Sequence, residues 1–309
     1  MRHLAFVFPG QGSQSVGMMQ GYGASCVQDA FAEASEVLGY DLAALVAEGP
    51  AESLNQTAHT QPAMLAAGVA VWRAWQALGG REPALMAGHS LGEYTALVAA
   101  GVLSFADALV LVQARARLMQ EAVPEGTGAM AAILGLEDEV VRAVCREAAD
   151  SEILEAVNFN SPGQVVIAGH RAAVERGMAL AKAKGAKRAL LLPVSVPSHC
   201  ALMRPAAAAL RERLSATPFS APRIPVLHNA DVAAHGDVEA IRDALSRQLY
   251  SPVRWVETIR AMGSSGITHV AECGPGKVLA GLNKRIEGTM ETFALTDDTQ
   301  LGQLSGLAS

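Results

Sequence analysis

The feature that most narrows the fold is the run Gly88-His89-Ser90-Leu91-Gly92, which follows an apolar stretch at 85–88 and precedes a helix-period segment at 91–100. A glycine–x–serine–x–glycine run between a strand and a helix is typical of a nucleophile elbow, because the small residues permit a sharp turn that exposes the serine. Such a turn also directs the backbone N–H of Leu91 at an oxyanion formed on the attacked carbon. The alternative is a glycine-rich turn in which the serine only caps the helix.

Short apolar strands alternate with helix-period segments along the chain, which predicts an α/β fold. The middle of the chain has a pattern of its own, with strands at 129–134, 153–159, 164–168 and 188–192 and helices at 137–149 and 171–184. The order βαββαβ is that of a ferredoxin-like unit. We therefore predict a small ferredoxin-like subdomain over residues 125–195, inserted into a discontinuous large subdomain over residues 1–124 and 196–309.

Composition excludes several classes of function. The 309 residues carry 24 Lys and Arg against 30 Asp and Glu, a formal net charge of −6, which argues against a nucleic-acid-binding protein. No apolar run approaches the ~18 residues of a membrane span, and no His or Cys motif has metal-ligand spacing. Four scattered cysteines do not form a disulfide framework, so we expect a cytoplasmic protein without bound metal.

A serine nucleophile needs a base. His199 stands in the run 196–200, where the small subdomain returns to the large one, and such junctions favour functional sites. The other histidines, His228 among them, are expected at the surface or in the core, and His89 is expected to be a buried structural residue. The acidic residues between Ser90 and His199 fit helix caps or helix surfaces, namely Asp107, Asp138 and Asp150. A backbone carbonyl is therefore an alternative group to orient His199.

Arg115 is the second candidate functional residue. Ser104 fits the N-cap of a helix that runs to about residue 122, and at about 100° per residue Arg115 falls within the apolar arc of that helix. A guanidinium that faces a core needs an anionic partner. That partner is either an internal Asp or Glu, or the carboxylate of a substrate held in a bidentate pair.

Two further segments leave alternatives open. The loop at 10–14 is not a dinucleotide fingerprint, because Ser15 stands where that motif requires glycine, but it can direct backbone N–H groups such as that of Gln11 into a cavity. The basic residues Lys182, Lys187 and Arg188 form either a solvated face or a docking patch for an acidic partner.

Six segments occur along the chain in this order: FPGQGSQ (8–14), GHSLGE (88–93), the helix with Arg115, NFNSPGQVVIAG (158–169), VPSHC (196–200) and GPGK (274–277). Together with EAVPEGTGAM (121–130) and AIRDALSRQLYSPV (240–253), they resemble the malonyl-CoA:acyl carrier protein transacylases of bacterial fatty-acid synthesis, a family of stand-alone acyltransferases. The resemblance extends over nearly the whole chain. It implies an α/β-hydrolase-like large subdomain with a ferredoxin-like insert.

The resemblance also implies roles for single residues. Ser90 matches the nucleophile and His199 its base, Arg115 matches the residue that binds the malonyl carboxylate, and the N–H groups of Gln11 and Leu91 match the oxyanion hole. The remaining matches are the pocket residues Gln61 and Asn160 and the histidine-orienting main chain at Gln248. The implied substrates are malonyl-CoA and the phosphopantetheine thiol of holo acyl carrier protein, and the implied enzyme is a monomer without a bound cofactor.

Three other functions stay open at this stage. A serine thioesterase or other hydrolase shares the elbow, and a trans-acting polyketide acyltransferase shares the chemistry. A non-catalytic scaffold that only binds carrier protein is the third. Leu91 favours malonyl over methylmalonyl, because related acyltransferases that take the branched unit tend to have Gln at that position.

Overall fold

The computed structural model describes residues 3–194 and 196–308. The predicted subdomains begin or end at residues 1, 195 and 309, which lie outside the described residues. The predicted subdomain boundaries stay a prediction. The strands are β1 (Leu4–Phe8), β2 (Leu85–Gly88), β3 (Gly128–Leu134), β4 (Leu154–Ser161), β5 (Gln164–His170), β6 (Arg188–Leu191), β7 (Val226–Leu227), β8 (His269–Glu272) and β9 (Glu291–Ala294).

The helices of the first half are α1 (Ser25–Leu38), α2 (Leu42–Glu48), α3 (Ala51–Leu54), α4 (Thr57–Ala77), α5 (Gly92–Ala99), α6 (Phe105–Glu121) and α7 (Asp138–Ala149). Those of the second half are α8 (Arg171–Ala183), α9 (Arg204–Ala216), α10 (Val238–Gln248), α11 (Trp255–Ser264), α12 (Val278–Ile286) and α13 (Asp298–Ala308), with a 3₁₀ turn at Ala201–Met203. No helix in the described part of the chain has both the length and the apolar character needed to cross a bilayer.

The larger sheet is parallel, with the strand order β7-β2-β1-β8-β9. Its central strand β1 is wholly buried, and Phe6 packs edge-on against Trp72 and Trp75 of α4, with ring centroids 5.7 and 5.2 Å apart. Because the strands are parallel, the loops after β1, β2 and β7 all lie at one edge of the sheet. That edge therefore brings the segments at 9–14, 89–91 and 228–229 together.

The smaller sheet is antiparallel, with the order β4-β5-β3-β6. Ile133 and Ile167 belong to the face that packs with residues of α7 and α8, while Met130 and Val166 belong to the opposite face. This is the ferredoxin-like arrangement that the βαββαβ pattern predicts. The chain thus has the two-part α/β fold expected from its sequence.

Several elements were not predicted from the pattern of residues. Helix α4 is buried on nearly every side, so its sequence shows no amphipathic period, and Pro62 lies inside it. Strand β9 has four residues and forms an edge of the larger sheet, which leaves little sequence signal. Tertiary packing, rather than local periodicity, stabilises these two elements.

Candidate active site

Ser90 occupies a sharp turn between β2 and α5, with a φ of 52°. The neighbouring glycines are sterically required: a Cβ on Gly88 would lie 1.9 Å from the carbonyl carbon of Gly92, and a Cβ on Gly92 would lie 2.0 Å from the oxygen of Phe8. Any side chain at these positions would collide with backbone. The sequence therefore folds here into an elbow that presents the serine hydroxyl.

The side chain of Asn229 holds the elbow in place. Its Oδ1 accepts a 2.7 Å hydrogen bond from the backbone N–H of Ser90, and its Nδ2 donates a 2.7 Å bond to the oxygen of Gly88. Asn229 is fully buried and lies two residues beyond the end of β7. One amide thus satisfies two backbone groups of the turn.

The hydroxyl of Ser90 lies within hydrogen-bond distance of His199: the Oγ–Nε2 separation is 2.7 Å. The Nδ1 atom of His199 lies 2.8 Å from the main-chain oxygen of Gln248. A carbonyl oxygen only accepts, so Nδ1 carries the proton and Nε2 is left as the acceptor toward the serine. His199 is 2% exposed; burial, together with the positive charge of Arg115, lowers its pKa from 6.5 to about 3. The imidazole is therefore neutral at physiological pH and able to take a proton.

Arg115 projects from α6 into the same site. Its Nη1 donates to Gln61 Oε1 at 2.8 Å. Its Nη2 donates to Gln248 Oε1 at 3.1 Å and to Ser90 Oγ at 3.4 Å. The side chain is 1% exposed and burial lowers its pKa. In the described part of the chain no carboxylate forms an ion pair with it. The internal Asp or Glu that the sequence left open as a partner is therefore not in direct contact.

The loop after β1 runs against the elbow. A Cβ on Gly10 would lie 2.4 Å from the oxygen of His89 and 3.6 Å from the nitrogen of Leu91. Within the described residues, neither the N–H of Gln11 nor that of Leu91 takes part in a backbone hydrogen bond. Backbone donors without a backbone partner, on two loops that meet at the elbow, are the groups from which an oxyanion hole is built.

A cavity of about 180 Å³ opens at the serine and is lined from both sheets. Asn160 of β4 forms one side, and its Oδ1 lies 2.8 Å from His89 Nε2. His89, expected to be a buried structural residue, is half-buried: it packs against Trp255 and also lines the cavity. A second cavity of about 810 Å³ shares lining residues with the first, among them Gln11, Thr57 and Leu192. The cavity at the serine thus adjoins a wider one.

The structure brings Ser90, His199, Arg115, Gln61 and Gln248 into direct contact, with Asn160 at the cavity wall. It does not bring the basic residues there: Lys182, Lys187 and Arg188 are exposed at one end of the small sheet. Strand β6 leads from this end to Leu191, which lines the wider cavity. Three residues at about 3.3 Å each separate Arg188 from that wall by about 10 Å.

Two buried polar residues under the site, Glu93 and Asn229, were missed. Glu93 lies in the first turn of α5, and its carboxylate contacts His228 and Asn229. His228 lies in the core, one of the two settings expected for it. A signal existed: polar residues directly after a short apolar strand lie at the carboxyl edge of a parallel sheet, where sites are built. A metal centre has no support in the described residues, which hold no group of three or more potential ligands.

Comparison with known proteins places this architecture among acyl transferases. Residues 5–291 match the family model described as acyl transferase domain. The chain is 59% identical to the malonyl CoA-acyl carrier protein transacylase of Salmonella typhimurium over 303 residues, which are 97% of this chain and 98% of that protein.

Two solved structures are also similar. The acyl carrier protein S-malonyltransferase of Vibrio cholerae superposes with a TM-score of 0.95 at 59% identity, over 98% of this chain and 99% of that one. A malonyl-transacylase in complex with a type II PKS acyl-carrier protein superposes with a TM-score of 0.98 at 55% identity, over 99% of both chains.

Proposed function

The chain belongs to the acyl transferase domain family, and from this premise we propose how its own residues transfer a malonyl group from malonyl-CoA to acyl carrier protein. The enzyme is an acyltransferase that serves fatty-acid synthesis. The observation that supports the assignment of roles is that His199 and Arg115 both contact the hydroxyl oxygen of Ser90. Ser90 Oγ lies 2.7 Å from a neutral histidine and 3.4 Å from a buried guanidinium.

In the first half-reaction, His199 Nε2 takes the proton of Ser90 as Oγ attacks the thioester carbonyl of malonyl-CoA. The N–H groups of Gln11 and Leu91 hold the oxyanion of the tetrahedral intermediate. The intermediate collapses, the C–S bond breaks, and His199 returns its proton to the leaving CoA thiolate. A malonyl ester on Ser90 remains.

In the second half-reaction, the phosphopantetheine thiol of holo acyl carrier protein enters the same cavity. His199 takes the thiol proton, the thiolate attacks the serine ester, and the proton returns to Ser90 Oγ when the C–O bond breaks. The donor and acceptor are both thioesters, and the intermediate is an activated ester. The chain therefore needs no cofactor of its own, and the transfer is reversible.

Arg115 selects the malonyl group. Malonyl places its carboxylate one methylene from the reacting carbonyl, so a cation that binds this carboxylate has to lie beside the nucleophile. The Nη2–Oγ distance of 3.4 Å meets that requirement. A guanidinium pairs with a carboxylate through two parallel N–H···O bonds, which gives orientation as well as affinity. Gln61 holds the other arm of the guanidinium, and Asn160 shapes the cavity wall.

The pair between Arg115 and the malonyl carboxylate also distinguishes this site from that of a serine hydrolase. The orienting group of His199 is a carbonyl in place of an acidic residue, which makes the histidine a weaker base than in a full triad. A thiol ionises far more readily than water, so a weaker base still activates the carrier thiol. These two features favour transfer over hydrolysis. A polyketide carrier is a second candidate acceptor, since a similar malonyl-transacylase has a structure with a type II PKS acyl-carrier protein.

The acidic carrier is proposed to dock at the basic end of the small sheet, formed by Lys182, Lys187 and Arg188. The exposed Leu190 and Leu191 extend this surface toward the wider cavity. We propose further that the enzyme acts as a monomer in the cytoplasm, where its four cysteines stay reduced, as they are in the structure.

Intact-protein mass spectrometry tests the proposal. Brief incubation with malonyl-CoA is expected to give a malonyl-sized adduct on the wild type and none on Ser90→Ala, and holo acyl carrier protein is expected to discharge it. An adduct that decays equally fast without carrier protein would support a hydrolase. A wild type that never forms the adduct would leave the scaffold function as the better account.

A further inference from the structure

A buried carboxylate lies beneath the site without a role in the steps above. Glu93 is fully buried in the first turn of α5. Its Oε1 lies 2.7 Å from His228 Nδ1. Its Oε2 accepts hydrogen bonds of 2.9 Å from the backbone N–H of Asn229 and from Gln248 Nε2. Both oxygens are therefore engaged by donors.

Gln248 connects this carboxylate to the reacting groups. Its main-chain oxygen holds His199, and its side-chain Oε1 accepts from Arg115 Nη2. Its Nε2 donates to Glu93 and, at 3.0 Å, to the oxygen of Ser90. Gln248 is 0% exposed, so water does not satisfy its amide. Its main-chain oxygen and both polar atoms of its side chain thus serve the site.

The two ends of an amide are not equivalent, and the carboxylate decides which way this one points. A carboxylate only accepts hydrogen bonds, so the NH₂ of Gln248 has to face Glu93 and the oxygen is left to face Arg115. The reverse orientation would set the NH₂ against the guanidinium and the amide oxygen against a carboxylate. Glu93, together with the oxygen of Ser90, therefore fixes the acceptor that Arg115 needs.

The arrangement also places negative charge near Arg115 without a direct ion pair. A buried cation is costly unless a charge or hydrogen bonds compensate it. A carboxylate bound directly to the guanidinium would compete with the substrate for the same N–H groups. Glu93 is separated from Arg115 by the side-chain amide of Gln248. From that position its negative charge still favours the charged form of the guanidinium.

We propose that Glu93 is a positioning residue for malonyl specificity, which acts by holding the Gln248 amide so that Arg115 presents its donors to the malonyl carboxylate. The inference rests on the proposed role of Arg115. It assigns Glu93 no contact with substrate and no proton transfer.

The test compares two acyl donors that differ in the carboxylate, malonyl-CoA and acetyl-CoA. For each variant, kcat/KM for loading of Ser90 is measured with both donors, and the ratio of the two values does not depend on the fraction of folded enzyme. Glu93→Leu is expected to lower the malonyl-to-acetyl ratio by about tenfold, the loss of one hydrogen bond to a charged group. Glu93→Gln is expected to recover part of the ratio, because its carbonyl oxygen can still accept from Gln248 Nε2.

Gln248→Leu provides the second arm, in which Glu93 is untouched. This variant alone is expected to lower the ratio, and adding Glu93→Leu to it is expected to lower the ratio no further, since the effect passes through the missing amide. A purely structural role would lower loading by both donors equally and leave the ratio unchanged. That result, an unchanged ratio in Gln248→Leu, or a further loss in the double variant would each overturn the proposal.

Arg115→Ala separates the inference from its premise. If Arg115→Ala keeps the preference for malonyl, the proposed role of Arg115 is wrong and the inference falls with it. If Arg115→Ala loses the preference while Glu93→Leu keeps it, the role of Arg115 stands and only the inference about Glu93 is wrong.

Discussion

The Nδ1 atom of His199 and the main-chain oxygen of Gln248 are 2.8 Å apart, so a peptide carbonyl orients the imidazole where a triad would use a carboxylate. A carbonyl fixes the tautomer and the ring position as a carboxylate does, but it adds no full negative charge to stabilise the imidazolium. With Arg115 on the other side of Ser90, the electrostatics of the site favour neutral histidine. This has a consequence for the pH dependence of acylation.

Burial and Arg115 lower the pKa of His199 to about 3. The protonated form, which cannot act as a base, is therefore populated only at a pH below that of an ordinary histidine. We expect the rate of malonyl loading in single turnovers to stay nearly constant from about pH 8 to about pH 5. Rapid-quench measurements of the acyl-enzyme would show this, and a fall in rate centred on the ordinary histidine pKa would contradict it.

Arg115→Ala is expected to lower malonyl loading by at least about 100-fold, because two charge-assisted hydrogen bonds of about 1.5 kcal/mol each are lost. Acetyl loading, which uses no carboxylate contact, is expected to persist. The comparison is made by kcat/KM for each donor on the same preparation. Equal losses for both donors would mean that Arg115 supports Ser90 without reading the substrate.

The elbow glycines provide a test of the local geometry. Gly92→Ala is expected to abolish loading and to lower the melting temperature, since its Cβ would lie 2.0 Å from the oxygen of Phe8. Gly281→Ala in α12 is a matched control, because nothing lies within 4 Å of the added Cβ. That variant is expected to gain about 0.5–1 kcal/mol in the free energy of unfolding. Thermal denaturation measures the melting temperature, and urea denaturation measures the free energy of unfolding. A Gly92→Ala variant that keeps its activity and stability would contradict the crowded geometry of the turn.

The proposed docking surface is tested with carrier protein at low salt, where charge contacts are least screened. The double variant Lys187→Glu/Arg188→Glu is expected to raise the KM for holo acyl carrier protein and to leave loading by malonyl-CoA unchanged. Arg117→Glu/Arg213→Glu is the control, since it changes the net charge equally at exposed residues of α6 and α9. The same rise in KM for both double variants would indicate a general effect of charge. No rise in KM for either would mean that Lys187 and Arg188 form only a solvated face.

The sequence predicted most where a local steric or periodic rule applies. Glycines flanking Ser90 predicted the elbow, and the period of α6 predicted that Arg115 faces inward. Partners contributed by distant segments were not predictable in this way. Nothing local indicates that the carbonyl of Gln248 reaches His199 or that Asn229 reaches Ser90, because these contacts depend on how α10 and β7 pack against the elbow. Helix α4 escaped prediction for a related reason, since full burial removes the amphipathic period.

Asn229 is expected to affect both donors alike, in contrast to Arg115 and Glu93. Asn229→Asp keeps an oxygen that can accept from the Ser90 N–H but loses the N–H that serves the oxygen of Gly88. A buried carbonyl left without a donor costs about 1–3 kcal/mol, and the added carboxylate lies near Glu93, which binds the backbone of the same residue. We therefore expect a lower melting temperature and an equal fall in malonyl and acetyl loading. Asn229→Leu, which removes both bonds, is expected to fall further on both measures. A change in the malonyl-to-acetyl ratio in either variant would contradict this assignment, because the Asn229 side chain bonds to the backbone of Ser90 and Gly88 and so positions the nucleophile for every acyl group.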